Sequence, residues 1–271
     1  MTAEDTLQRA TFALNTRRPQ DAERLAAEVL KTNRRHAGAL HVLGYALVMQ
    51  GRFADAIALL EPIVRGQHDA EFETQLAVAL RGAGRHQDAL PRLQRAVKRK
   101  PPYPKAFLEL GVLQIALRQY DDAIVTLKRG AEIAPLMLDL SLQLGVVSLM
   151  ARDFAGAKVA FAHVLGIAPD SPDALYGMAK SHQELGEQQA AIGLFRRYLA
   201  SRPQHWAAWL SLGHCLLEIG DRGAGYECFR TAARGDPAQA GNALASLVKA
   251  PRGKFWLRPS VARQFLRGAK D

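Results

Sequence analysis

Apolar and polar positions alternate along this chain at helical spacing, and the helical stretches themselves recur. In residues 104–119, PKAFLELGVLQIALRQ, the apolar or small positions are Phe107, Leu110, Gly111, Ile115 and Ala116, which predicts an amphipathic helix. The turn Arg118-Gln119-Tyr120 follows. A second helical stretch, DDAIVTLKRGAEIA, opens on Asp121 and Asp122, where unpaired amides and the helix dipole favour negative charge. Pro135 stops it. The unit is helix, short turn, helix, breaker.

That unit repeats. Pro101, Pro135, Pro169, Pro203 and Pro237 stand 34 residues apart. Small residues recur in step at Ala10, Gly44, Ala77, Gly111, Gly145, Ala179 and Gly213, and again at Ala22, Ala56, Ala89, Ala123, Ala157, Ala191 and Gly225. A bulky series, Leu60, Leu93, Leu127, Phe161, Phe195 and Phe229, keeps the same period. Small positions let two helices approach, and bulky ones fill the remaining space. A fixed period of this length marks a solenoid. The prediction is an all-α fold, an α-solenoid of antiparallel helix pairs.

Units are expected at about 3–36, 37–69, 70–103, 104–137, 138–171, 172–205 and 206–239, forming an array over 1–239. The first, with Arg17-Arg18-Pro19 at its turn, is degenerate, as end repeats often are. Turns carrying Gly51, Gly84, Gly186 and Gly220 supply the left-handed backbone that a helix end often needs. Pro91 reads as a first-turn proline, and Pro62 is expected to kink its helix. After Pro237 the period ends. Residues 240–249 read as one more, capping helix, and a basic aromatic tail runs to 271 with a short helix bearing Val261, Phe265 and Leu266.

These residues resemble the tetratricopeptide repeat, whose 34-residue unit is a pair of antiparallel helices. The seventh unit matches best, at Trp209, Leu212-Gly213, Phe229, Ala232 and Pro237. The third and fourth match at Leu76-Ala77, Ala89, Ala96, Pro101 and at Leu110-Gly111, Tyr120, Ala123, Pro135. Gly130 and Gly225 replace expected alanines and should loosen their helices. The related pentatricopeptide repeat, which reads RNA, lacks the Leu-Gly and Pro signature found here.

The resemblance implies a right-handed superhelix whose first helices line a concave groove. It also implies a non-enzymatic scaffold that binds a peptide or amphipathic helix of another protein there. By phase, the groove positions include His41, Tyr45 and Val48, then Lys105, Leu108, Val112 and Ile115. Asp139, Leu142, Val146 and Leu149 follow, then Asp173, Tyr176, Lys180 and Gln183, and last Ala207, Leu210, His214 and Leu217. Where some chaperone-binding relatives hold a carboxylate with Lys and Asn, this chain has Leu108, Val112, Leu142 and Val146, which argues against a clamp for an acidic tail. Each position is open to two readings, partner contact or packing between units. Self-assembly, with a terminal helix in a neighbour's groove, is the alternative use.

Charge adds one feature. The 271-residue chain has a formal net charge of +10. Residues 249–271 hold Lys249, Arg252, Lys254, Arg258, Arg263, Arg267 and Lys270 against Asp271, with Phe255, Trp256 and Phe265 among them. Such a tail fits a cap on the last repeat, an interfacial anchor on an anionic membrane, or a dock for an acidic protein or nucleic acid. Its contact residues would be Arg252, Lys254, Trp256, Arg258, Arg263 and Arg267.

Chemistry is sparse. Cys215 and Cys228 do not make a disulfide framework and read as small buried residues. The histidines lack metal-site spacing, so no metal or other cofactor is expected. Gly82-Ala83-Gly84 and Gly223-Ala224-Gly225 mimic phosphate loops, but neither follows a strand, so both read as inter-helix turns. The pair His182 and Glu184 reads as polar surface. The acidic N-terminus lacks the features of a signal peptide and no stretch has the length of a membrane span, which makes the cytoplasm the default location.

Overall fold

The computed structural model describes residues 2–66, 69–236 and 241–242. Among them are fourteen α-helices and no strand. In chain order these are α1 (Ala3–Asn15), α2 (Pro19–Thr32), α3 (Ala37–Met49), α4 (Phe53–Gly66), α5 (Ala70–Gly82), α6 (His86–Ala96) and α7 (Pro104–Ala116). Then come α8 (Tyr120–Ile133), α9 (Leu138–Met150), α10 (Phe154–Ile167), α11 (Pro172–Glu184), α12 (Gln188–Ser201), α13 (Trp206–Glu218) and α14 (Arg222–Gly235). The chain divides into two compact units, residues 1–140 and 141–271. Each is a stack of helical hairpins, and the fold is an all-α solenoid of repeats.

Local chemistry sets the hairpins. Three-residue turns join the two helices of each pair. The left-handed residue in each turn is Gly51, Gly84, Gly186 or Gly220, at φ between 73° and 89°. Arg17, Arg118 and Arg152 hold the same conformation at φ 56°, 59° and 62° in the other three pairs, at a steric cost that glycine avoids. Helix starts carry acceptors. Asp69 accepts from the Glu71 and Phe72 amides, Asp153 from Gly156, and Asp221 from Ala224.

The three phased series form the core. Ala22, Ala56, Ala89, Ala123, Ala157 and Ala191 are fully buried, and so are Leu60, Leu127, Phe161, Phe195 and Phe229. In the second unit, Phe161 is clasped by two glycines. A β-carbon on Gly145 would come within 2.6 Å of its ring, and one on Gly177 within 2.2 Å.

Several local expectations change. Gly130 and Gly225, expected only to loosen their helices, are each a site of close approach. A β-carbon on Gly130 would meet Leu140 at 2.7 Å and Phe107 at 2.8 Å. One on Gly225 would meet Leu217 at 2.9 Å and the Gly213 carbonyl at 3.1 Å. Pro91 lies in the second turn of α6, which starts at His86. Gly223-Ala224-Gly225 is helical, the opening of α14, whereas Gly82-Ala83-Gly84 is the expected turn. Pro62, expected to kink its helix, stands inside α4, and the helix continues to Gly66. The capping helix and the basic tail fall outside the described residues, apart from helical residues 241–242.

Candidate functional site

In the first unit, α1, α3, α5 and α7 pack side by side, and the second helix of each pair lies against its partner. The middle of this inner layer is tied shut. Helix α5 buries Thr74 and Gln75 completely, although both are polar. Thr74 bonds back to the Ala70 carbonyl at 2.6 Å. The Gln75 amide nitrogen donates to the His41 carbonyl at 2.7 Å, so its oxygen faces His41 Nδ1 at 3.2 Å and that nitrogen must donate. His41 stacks on Phe72 with ring centroids 3.6 Å apart, and its Nε2 lies 3.6 Å from Glu71.

Over this floor, Lys105 on α7 reaches across α5 and sets its ammonium 4.1 Å from the centre of the Tyr45 ring on α3. Burial holds the Lys105 amine below its ordinary range, with the Glu109 and Glu71 carboxylates opposing that shift. The Tyr45 hydroxyl is buried without a well-formed hydrogen bond. Burial first, and the neighbouring Tyr103 second, raise its pKa far above the usual phenol range. Tyr103, just ahead of α7, is pushed up to about 12, again chiefly by burial. Arg81 at the end of α5 donates to Glu109 on α7 at 2.8 Å. Leu108, Val112 and Ile115 continue along α7 as a half-buried apolar row.

The second unit is wired differently. Lys180 on α11 donates to Gln183 at 2.8 Å and lies 3.8 Å from Glu184, all on its own helix. His214 on α13 faces Glu218 of the same helix at 3.6 Å. These polar groups leave the seam between helices untied. Leu142, Val146 and Leu149 on α9 are half-buried, spaced four and three apart on one helix face. Tyr176 turns into a cluster with Tyr198 (5.1 Å), His205 (5.0 Å) and Phe195 (6.0 Å). Burial raises both tyrosine hydroxyls above their ordinary range. Leu217 is a correction: expected in the groove, it is fully buried and packs under α14.

The remaining candidates are plain. Burial pushes the Cys215 and Cys228 thiols up to about 12, the behaviour of inert core residues. His182 pairs with Glu187 rather than with Glu184, and Lys158 bonds the same carboxylate. Those two bonds, the lysine's first, hold Glu187 below its usual range. Among the described residues, no group of three or more His, Cys, Asp and Glu side chains could hold a metal ion. No described helix is long and apolar enough to cross a membrane. Arg252, Lys254, Trp256, Arg258, Arg263 and Arg267 lie outside the described residues. The network of Glu71, Phe72, Gln75, Tyr103 and Glu109 was not read from the sequence. Gln75 and Glu109, 34 residues apart at the same place in successive repeats, are the signal that was there to find.

Two family models, both described as tetratricopeptide repeat, match the chain, one at residues 80–138 and one at 7–69 and 176–240. The chain belongs to the tetratricopeptide-repeat family. Solved structures agree with that fold. PilF of Pseudomonas aeruginosa is 19% identical, with a TM-score of 0.63 over 73% of this chain and 91% of its own. A tetratricopeptide-repeat protein of Thermus thermophilus is 21% identical, with a TM-score of 0.59 over 66% of this chain and 98% of its own. MamA of Desulfovibrio magneticus RS-1 is 17% identical, with a TM-score of 0.58 over 63% and 96%. No curated protein matches the chain. Tetratricopeptide-repeat proteins are in general non-enzymatic scaffolds that bind other proteins, and that is the general reading for this chain.

Proposed function

We propose that this protein is an interaction scaffold that binds a peptide or amphipathic helix of a partner protein along the inner helices of its repeats. The observation that carries the reading is a half-buried apolar row in each unit, on the first helix of a pair: Leu108, Val112 and Ile115 on α7, and Leu142, Val146 and Leu149 on α9. Residues at this spacing present one stripe, the shape that receives the apolar face of an incoming helix. Tyr45 and Lys105 in the first unit, and Tyr176, Lys180 and His214 in the second, set polar limits to the row of their own unit. Recognition is reversible and involves no covalent step. The cytoplasm is the compartment in which this scaffold would act.

The test is affinity capture with the wild-type protein and with a Val112→Asp, Val146→Asp double variant, followed by far-ultraviolet circular dichroism. Loss of captured partners with helix content intact supports the reading. Loss of helix content assigns the two valines to the core, and unchanged capture excludes these rows as the binding face.

A further inference from the structure

The first unit has a second surface that groove binding does not use. Between Asp88 and Glu109 the chain holds no carboxylate but six basic residues: Arg92, Arg95, Lys98, Arg99, Lys100 and Lys105. Residues 1–140 carry 20 basic and 16 acidic side chains, whereas 141–248 carry nine of each. The basic excess of the first unit is therefore concentrated in this stretch.

The fold presents it in a particular way. Helix α6 ends early, at Ala96, so seven residues, 97–103, lead to α7. The connections before α3 and α9 have four residues and the one before α5 has three. Two anchors hold this longer connection. Inside, Tyr103 tucks beside Tyr45 and Glu71. On the other side, Arg99 and Arg95 approach Glu73 at 3.4 and 3.8 Å, and that carboxylate is only 2% exposed. Lys98, Lys100, Pro101 and Pro102 are left exposed, and no described carboxylate lies within 4.0 Å of Arg92, Lys98 or Lys100.

Successive helices in the unit are antiparallel, so every connection that leads into a new pair reaches the same edge. That edge also presents Lys31, Arg34 and Arg35 at the end of α2, all exposed. Beyond α8 it presents Leu136, 81% exposed. Its exposed acids include Glu4, Asp5, Asp69, Glu132 and Asp139, at the ends of other helices, with Asp69 occupied in capping α5, and the part-exposed Glu71 faces His41 at 3.6 Å. On the opposite edge several arginines are paired with carboxylates: Arg18 with Asp21 at 3.6 Å, Arg52 with Asp55 at 2.8 Å and Glu23 at 2.7 Å, Arg85 with Asp88 at 2.7 Å.

We propose that this edge, centred on Lys98 and Lys100, docks onto the surface of an anionic lipid bilayer. Loop tips along one edge can meet an extended plane together, where basic residues gain from negative headgroups and an exposed leucine from the acyl boundary. A single-stranded nucleic acid would call for exposed aromatic platforms, and Tyr103 is turned inward. An acidic peptide would use the charges and leave Leu136 idle.

Co-sedimentation of the full chain with phosphatidylcholine vesicles, with and without phosphatidylserine, tests this. A Lys98→Gln, Lys100→Gln variant should bind the anionic vesicles roughly thirtyfold more weakly, the size expected for two basic residues at such a surface. An Arg17→Gln, Arg118→Gln variant on the opposite edge makes the same charge change and should bind like wild type. This control also separates the edge from the basic tail, which all variants retain. Leu136→Ser should weaken vesicle binding but not binding to polyglutamate. Equal loss in both double variants, or no loss in the first, overturns the proposal. So does binding of polyglutamate or single-stranded nucleic acid through Lys98 and Lys100 without vesicle binding.

Discussion

The two units meet the same packing demand with different side chains. At the bulky position of the second helix, the first unit places Leu60, Leu93 and Leu127, and the second places Phe161, Phe195 and Phe229. The larger ring needs more room, and around Phe161 that room comes from Gly145 and Gly177 on two different helices. Their inner layers differ as well. In the first unit Lys105 and Arg81 tie helices together across α5 or from it, while in the second Lys180 and His214 pair along their own helices. One repeat pattern thus supports a bridged face and an unbridged one.

The strongest way to break this comparison is Gly177→Ala. Its β-carbon would lie 2.2 Å from the Phe161 ring, which Gly145 also approaches closely. A loss of about 2–3 kcal/mol is expected from overpacking, read from the urea midpoint. Adding Phe161→Leu imports the first unit's solution and should recover part of that loss. If Gly177→Ala leaves the midpoint unmoved, the Phe–Gly pairing does not govern packing here.

A smaller effect tests the bridge. Lys105→Met removes the charge over Tyr45 while keeping much of the stem, and should cost about 1 kcal/mol. Lys180→Met in the second unit should stay within about 0.5 kcal/mol of wild type. Equal losses in thermal melts would erase the distinction between the two inner faces.

Acid provides a third probe, smaller still. Glu23 in the first unit is held below its usual range by Gln50 and then Arg52, and Glu187 in the second by Lys158 and then His182. A carboxylate with a lowered folded-state pKa adds stability above its unfolded value, about 4.3, and that stability is lost as pH falls through the folded one. Glu23→Gln and Glu187→Gln should therefore lower Tm slightly at neutral pH and not at all in strong acid. A deficit that persists in acid would mean that shape, not charge, is responsible.

The least effect is expected at the turns. Arg118→Gly and Arg152→Gly relieve a left-handed arginine in either unit and should each stabilise by a few tenths of a kcal/mol, because glycine's greater freedom when unfolded offsets most of the gain. Similar rises in Tm would show that the units share turn geometry despite different cores. A rise in one alone would extend their difference to the turns.

Much of the fold was legible because its cause is local or periodic. Helical spacing, the acidic opening at Asp121 and Asp122 and the glycine turns each act within a few residues, and the 34-residue step of Pro101 to Pro237 places small against bulky positions without any coordinates. The candidate rows on α7 and α9 were legible for the same reason, since phase alone assigns a helix face. What phase could not read is which side chain reaches which neighbour. Gly130 looked like a weakened alanine until Leu140 and Phe107 were found against it. Leu217 has groove phase yet is buried, because Gly225 lets α14 close over it.

By itself, then, the sequence determined the repeat, the helices, their turns and the family, all consequences of short-range backbone preference and a regular apolar period. Tertiary structure alone decided the bridge of Lys105 to Tyr45 across α5, the clasp of Gly145 and Gly177 on Phe161, and the anchoring of the 97–103 connection by Tyr103 and Glu73. Those contacts join residues far apart in the chain. Their energies depend on distances of a few ångströms, and a one-dimensional pattern carries no such distances.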